Sequence, residues 1–188
     1  MELKGERTLP ASRQVAWDAL NDVEVLRLCV PGCESITATA ENKYAVVVNT
    51  AIGPVKARFT GKLELADIDA PNGYTIKFDG TGGQAGFARG DARVTLESLA
   101  PQQTKLTYVA TSQVGGRLAQ VGSRLIDAAA GAMADRFFAA FSDQLSARAS
   151  PAGAAAPAAG AAAKPATIGF WSLFVAFLRR LFSRAPLD

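Results

Sequence analysis

Between Ile36 and Gln113 apolar and polar residues alternate with a period of two, interrupted at Glu41-Asn42, Gly53-Pro54, Pro71-Asn72-Gly73, Gly80 to Gly86 and Pro101-Gln102. Successive side chains of a strand point to opposite faces, so this pattern predicts antiparallel strands joined by hairpins, with one face buried and the other in water. The clearest stretch sets Val55, Ala57, Phe59, Gly61, Leu63 and Leu65 against Lys56, Arg58, Thr60, Lys62 and Glu64. Tyr74, Ile76 and Phe78 repeat the pattern, as do Ala92, Val94 and Leu96, and Leu106, Tyr108 and Ala110, which makes about six strands sharing one apolar face. Ahead of them, Glu2 to Leu9 reads as a short strand stopped by Pro10. Ser12 can then cap a helix that places Val15, Trp17, Ala19 and Leu20 on one side and stops at Asn21-Asp22. A second short helix, Glu24 to Leu28, ends before Pro31-Gly32.

After the strands the period changes. From Gly115-Gly116 to about Arg148, Ile126, Ala129, Met133, Phe137, Ala140 and Phe141 recur at spacings of three and four, which predicts one long helix laid over the sheet. Its middle, Ala128 to Ala132, consists of the smallest side chains available. Small residues opposite a curved sheet leave room for a ligand; close helix-sheet packing is the alternative they also permit.

Residues 149 to 167 contain three prolines and no large apolar side chain, so nothing in them offsets the entropy of folding and they read as a linker. Residues 168 to 188 differ again. On a helical wheel Phe170, Phe174, Phe177, Leu178 and Leu181 share one side, flanked by Trp171 and Phe182, and Arg179 and Arg180 fall on the other. The uninterrupted apolar run is 11 residues, Ile168 to Leu178, whereas a spanning helix needs ~20. The expected placement is therefore in the interface of an anionic membrane, where each arginine adds roughly 1 kcal/mol. A helix docking into a partner's groove is the competing reading.

Charge sharpens this division. Residues 1 to 148 carry 16 Lys/Arg and 16 Asp/Glu, while the rest carry four against one. A neutral body argues against nucleic acid, which is held through concentrated basic surface. There is no histidine, which removes the commonest general base and metal ligand. Cys29 and Cys33 are too few for a disulfide framework or an ordinary zinc site, and read as reduced, semi-buried thiols. The charged opening MELKGERTLP is unlike a secretory signal, so a cytoplasmic protein is expected. Gly80 to Ala85 fits G-x-G-x-x-A but lies between strands with no helix to meet a pyrophosphate, and Asp67 and Asp69 sit beside a turn on solvent faces. No catalytic constellation can be assembled, and no metal site.

Four separated strings, Asn21 to Glu34 (NDVEVLRLCVPGCE), Gly53 to Gly61 (GPVKARFTG), Gly86 to Ala92 (GFARGDA) and Gly116 to Asp127 (GRLAQVGSRLID) followed by Phe137-Phe138, resemble the carbon monoxide dehydrogenase G-subunit family. That family lies within the helix-grip (START-like, SRPBCC) superfamily, and the resemblance spans residues 1 to 148. It implies an α+β fold, a curved antiparallel sheet of six to seven strands wrapped around a long C-terminal helix, with two short helices and a cavity for apolar ligands. It also implies a non-catalytic protein associated with a CO dehydrogenase-type molybdenum hydroxylase.

Combining cavity and tail gives the expected function. A ligand-binding domain (1–148) is linked by 149–167 to a membrane-associating helix (168–188), peripheral on the inner face of the cell membrane, and carries a prenyl quinone between the quinone pool and the dehydrogenase. The alternative is a non-catalytic adaptor that holds the dehydrogenase at the membrane. No covalent cofactor is expected, only the bound quinone. Phe59, Phe78 and Tyr108 from the inward parity of three strands are expected to meet Met133, Phe137 and Phe141 under a roof of Ala129, Ala130 and Gly131. Phe87 is the expected gate, and Tyr108 and Gln84 the expected contacts to the quinone head.

Overall fold

A computed structural model describes residues 1–149. The elements follow the order β1 (Glu2–Leu9), α1 (Arg13–Leu20), α2 (Val23–Cys29), β2 (Cys33–Ala40), β3 (Lys43–Ile52), β4 (Val55–Asp69), β5 (Gly73–Thr81), β6 (Phe87–Ala100), β7 (Gln103–Gly115) and α3 (Ser123–Ala149). The expected linker and amphipathic helix lie outside the described residues.

Strands β2 to β7 form a continuous meander, and β1 closes the order by pairing antiparallel with β7, giving β1-β7-β6-β5-β4-β3-β2. Along β4 the alternation is kept from Val55 to Leu65, with apolar residues half-buried and Lys56, Arg58, Lys62 and Glu64 exposed. Register then aligns rows across the sheet. Val94 pairs with both Tyr74 and Tyr108, and Tyr108 pairs with Gly5.

Each short helix begins on a side chain that satisfies free backbone N–H groups. Ser12 accepts from Val15 N at 3.4 Å, and Asp22 accepts from Glu24 N at 3.0 Å and Val25 N at 3.4 Å. In α1 the buried face is Ala16, Ala19 and Leu20, an i, i+3, i+4 set, whereas Val15 is 36% exposed. The expected face is thus rotated by one residue, because the small Ala16 permits close approach where Val15 would not. Trp17 is only half-buried and meets Tyr74 edge to face at 5.4 Å.

The long helix also starts later than the spacing predicts. β7 runs on to Gly115; Gly116 (φ +75°) turns the chain, a 3-10 turn follows at Ala119–Val121, and Gly122 (φ +93°) precedes the first residue of α3. The paired glycines are a strand exit: β7 ends at Gly115, and Gly116 takes a positive φ that glycine adopts readily. Gly86, which joins Ala85 to β6, has φ +114°, and a Cβ there would sit 1.9 Å from the Gly115 carbonyl oxygen. Two of the strings that carry the family resemblance therefore meet where backbones pass too closely for any side chain.

The core lies toward one end. Phe141 and Leu145 of α3, both 0% exposed, pack with α1, α2 and the inward residues Val94, Leu96 and Leu106; burying each contributes about 1.5–3 kcal/mol. The buried Thr104 is satisfied by donating from Oγ1 to the Ala11 carbonyl at 2.8 Å. The other end of α3 is different: from Ser123 to Ala140 no residue is fully buried. A cavity opens between this part of α3 and the sheet, under Ala134, Phe137 and Phe138.

Candidate functional site

The cavity has a volume of about 450 Å³, within the range of small-molecule sites. Its floor is the inward parity of the sheet, including Tyr44, Val46, Leu63, Leu65, Tyr74, Ile76 and Tyr108. α1 and α2 wall it with Leu20, Asn21, Val23, Leu26 and Val30, and α3 roofs it with Ala134, Phe137 and Phe138. No Lys, Arg, Asp or Glu lines it. A second apolar hollow of about 320 Å³, lined by Phe59, Phe78, Leu118 and Met133 among others, adjoins it through Val46 and Leu63, which line both. The inner face of the sheet is therefore an extended apolar trough.

Aromatic rings set one end of the roof. Phe137 stacks on Phe141 (5.7 Å) and meets Phe138 edge to face (5.1 Å); Phe138 stacks on Tyr108 (5.3 Å). The guanidinium of Arg7 lies 5.5 Å from the Phe138 ring and is hydrogen-bonded to Asp135, which ties β1 to α3. Glycine at position 5 makes this stack feasible, because a Cβ there would come within 2.6 Å of the Tyr108 hydroxyl. The Tyr108 ring consequently reaches across β1, and its hydroxyl sits over Gly5 at the sheet edge.

Polar groups on the cavity are few. The Asn21 side chain donates from Nδ2 to the Trp17 carbonyl at 2.8 Å. Tyr74 is 5% exposed, and burial, with a smaller effect from the neighbouring Tyr44, pushes its phenol well above the usual tyrosine range, so it stays neutral. Cys29 is buried and Cys33 half-buried; both are free thiols whose pKa is raised, chiefly by burial. Among the described residues no group of three or more His, Cys, Asp or Glu could hold a metal.

The residues singled out from sequence divide into three sets. Tyr108 and Phe137 line the larger cavity, and Phe59, Phe78 and Met133 the adjoining hollow, so five of the six expected to converge lie along one trough. Phe141 does not reach it: at 0% exposure it belongs to the core, one turn beyond Phe137. Ala129 and Ala130 are half-buried and line neither space; the small residue over the sheet is Ala134, one turn beyond Ala130. Gln84 is exposed on the 3-10 turn Gly83–Ala85, away from both. Phe87 is 38% exposed, packed over its cross-strand partner Gly115 with the Arg89 guanidinium 5.3 Å from its ring. It covers a bare stretch of backbone and stands at neither apolar space. Sequence reasoning missed the wall supplied by Val23, Leu26 and Val30, whose spacing of three and four was the available signal. It also missed Tyr44 and Val46, which share the inward parity of β3.

Residues 5–146 match the model of the family described as the G subunit of carbon monoxide dehydrogenase (CoxG). No curated protein matches. Among solved structures, a conserved protein from Geobacillus kaustophilus superposes with a TM-score of 0.75 at 27% identity, covering 78% of this chain and 96% of that one. A START superfamily protein from Mycobacterium smegmatis gives 0.62 at 13% identity (78% and 98% covered). The Zhui aromatase/cyclase of Streptomyces sp. R1128 gives 0.58 at 14% identity (82% and 99% covered). These likenesses establish the helix-grip, START-like fold. With most of its length matched, the chain belongs to the CoxG family of carbon monoxide dehydrogenase G subunits.

Proposed function

We propose that this protein is a membrane-tethered carrier that binds a prenyl quinone in the cavity and links a CO dehydrogenase-type molybdenum hydroxylase to the respiratory quinone pool. The observation that carries the reading is the apolar trough between the sheet, α2 and α3: about 450 Å³ in its main part, which no charged residue lines, continued by the adjoining hollow. An elongated apolar chain gains free energy from leaving water for such a space, and nothing along the main cavity's walls is charged. The family description, which attaches these chains to carbon monoxide dehydrogenase, supports the partner. In this reading the chain is an accessory protein without a reaction of its own.

No helix among the described residues is long and apolar enough to cross a membrane. Tethering is assigned instead to residues 168–188, whose Phe170, Trp171, Phe174, Phe177, Leu178 and Leu181 supply apolar area and whose Arg179 and Arg180 supply attraction to anionic lipid on the cytoplasmic face. Native mass spectrometry of the full chain purified from its own membranes tests the carrier. A co-purified prenyl quinone at about one per chain is expected. Protein that is consistently free of quinone, yet recruits the dehydrogenase to vesicles, would replace the carrier with an adaptor.

A further inference from the structure

The two ends of the sheet differ in charge. Consecutive strands run in opposite directions, so the β3–β4 turn, the β5–β6 loop and the β7–α3 connection lie at one end, and the β2–β3, β4–β5 and β6–β7 hairpins at the other. At the first end the connections touch: Leu118 N donates to the Ala85 carbonyl at 2.8 Å, and a Cβ at Gly53 would come within 2.7 Å of the Leu125 side chain. Residues 50–57, 81–88 and 115–127 hold the exposed cations Lys56, Arg117 and Arg124 against one carboxylate, Asp127, and among the described residues none of the four is in an ion pair. Arg58 and Arg89 stand nearby but are matched, by Glu34 and by the cross-strand Asp79. At the opposite hairpins Glu64 holds Lys43 and Glu97 holds Lys105, which leaves Glu41, Asp67 and Asp69 with Arg13, bonded to Asn72, as the cation facing them. Exposed apolar side chains stand at both ends, Phe87 and Leu125 at the basic one, Ile68 and Leu99 at the acidic one. Charge is what tells the ends apart.

We propose that the basic end is a docking surface for an anionic phospholipid bilayer, on which the tethered domain stands with its acidic hairpins turned away. The proposal rests on the tether assigned above and adds the orientation of the domain. Cations beside exposed apolar side chains suit the boundary between head groups and acyl chains, whereas Glu41, Asp67 and Asp69 would be repelled by it. The smaller apolar hollow extends to this end through Ile52, the last residue of β3, and Leu118, so an apolar ligand leaving the bilayer here meets apolar surface rather than water. Chain length permits the orientation. α3 begins at the basic end and runs 27 residues, about 40 Å, while residues 149–167 can reach about 60 Å when extended. Three cations and two apolar side chains make a weak contact, so the body alone does not stay on vesicles; a tether raises its effective concentration to about millimolar, where such a contact forms.

Hydrogen–deuterium exchange of the full chain, free and on vesicles of phosphatidylcholine mixed with phosphatidylglycerol, tests this. On the vesicles the amides of residues 53–57, 82–88 and 116–125 should exchange about threefold or more slowly, and those of 40–43, 66–73 and 98–103 should be unchanged. The Arg117→Glu, Arg124→Glu double variant should still sediment with the vesicles through residues 168–188 and lose the protection. Both side chains are exposed and outside any ion pair printed by the fold's contacts, so the variant should fold; if it does not, Lys56→Glu carries the test with the same readout. Protection of the acidic hairpins instead, or undiminished protection in the variant, would overturn the docking surface and leave the tether standing. Protection at neither end would do the same and leave the basic end to a protein partner. Failure of the native full chain to sediment with the vesicles would overturn the tether, and the docking with it.

Discussion

Arg148, in the last turn of α3, donates to Asp22 Oδ2 at 2.6 Å, and Asp22 is the residue whose other carboxylate oxygen caps α2. One carboxylate thus holds the helix that walls the cavity and fastens it to the helix that roofs it. Arg148 first, with the capped N–H groups of Val25 and Glu24, holds the Asp22 carboxyl below its usual range, against the opposing effect of burial.

A depressed carboxylate stabilises the fold above its unfolded pKa, and that contribution disappears as pH falls through the lower folded value. Asp22→Ala should cost about 1–2 kcal/mol at pH 7, mostly from the cap, because the ion pair is partly exposed and screened. Asp22→Asn keeps a capping oxygen and should cost less. Urea melts should show both differences at pH 7, with the gap between native and Asp22→Asn narrowing toward about pH 3.

Gly86 permits a direct test of the backbone crossing. A side chain there meets the Gly115 carbonyl oxygen at 1.9 Å in a backbone conformation that suits glycine. Gly86→Ala should therefore lower stability by about 1–3 kcal/mol, measurable as a fall in Tm. Gly83→Ala, at φ +60° with open space around it, should cost less.

The thiols should be quiet. Burial raises both pKa values, so at pH 7 little thiolate is present, and modification by iodoacetamide should be slower than that of a free cysteine peptide. The Cys29→Ser, Cys33→Ser double variant should fold and keep its ligand, losing about 1–3 kcal/mol, because Cys29 is 2% exposed and a hydroxyl there is poorly solvated.

The sheet was legible because its alternation is a direct record of burial: Val55 to Leu65 reads the same in sequence and structure. What misled was the meaning of small residues. Gly115-Gly116 resembles a helix start but is a strand end, and the small residue over the cavity is Ala134, one turn beyond Ala130. Phe87 among glycines resembles a gate, yet its ring lies on Gly115 of the neighbouring strand, while the glycines beside it, Gly86 and Gly90, face the backbone of Gly115 and Thr111. Periodicity states that Val23 and Leu26 share a face, but not whether that face meets core or empty space. That is decided by residues distant in sequence, here Tyr74 and Phe138.

Deletion of residues 168–188 should abolish sedimentation with anionic vesicles, and added salt should weaken binding by the full chain, since the arginine contribution is screened. Residues 1–148, with balanced charge, should not sediment. Undiminished binding after the deletion would place the membrane contact on the body of the domain.

The most direct measurement is quinone extraction. Full chain is equilibrated with vesicles doped with prenyl quinone and separated from them, and the quinone left with the protein is quantified by absorbance. Native protein should retain about one per chain. Ala134→Trp, which places an indole in the roofed space rather than in packed core, should retain essentially none while keeping its circular dichroism spectrum and thermal midpoint. Ala129→Trp, at a position that lines neither hollow, should behave as native. Equal retention by Ala134→Trp, or none by the native chain, would contradict the assignment of the cavity as a quinone site.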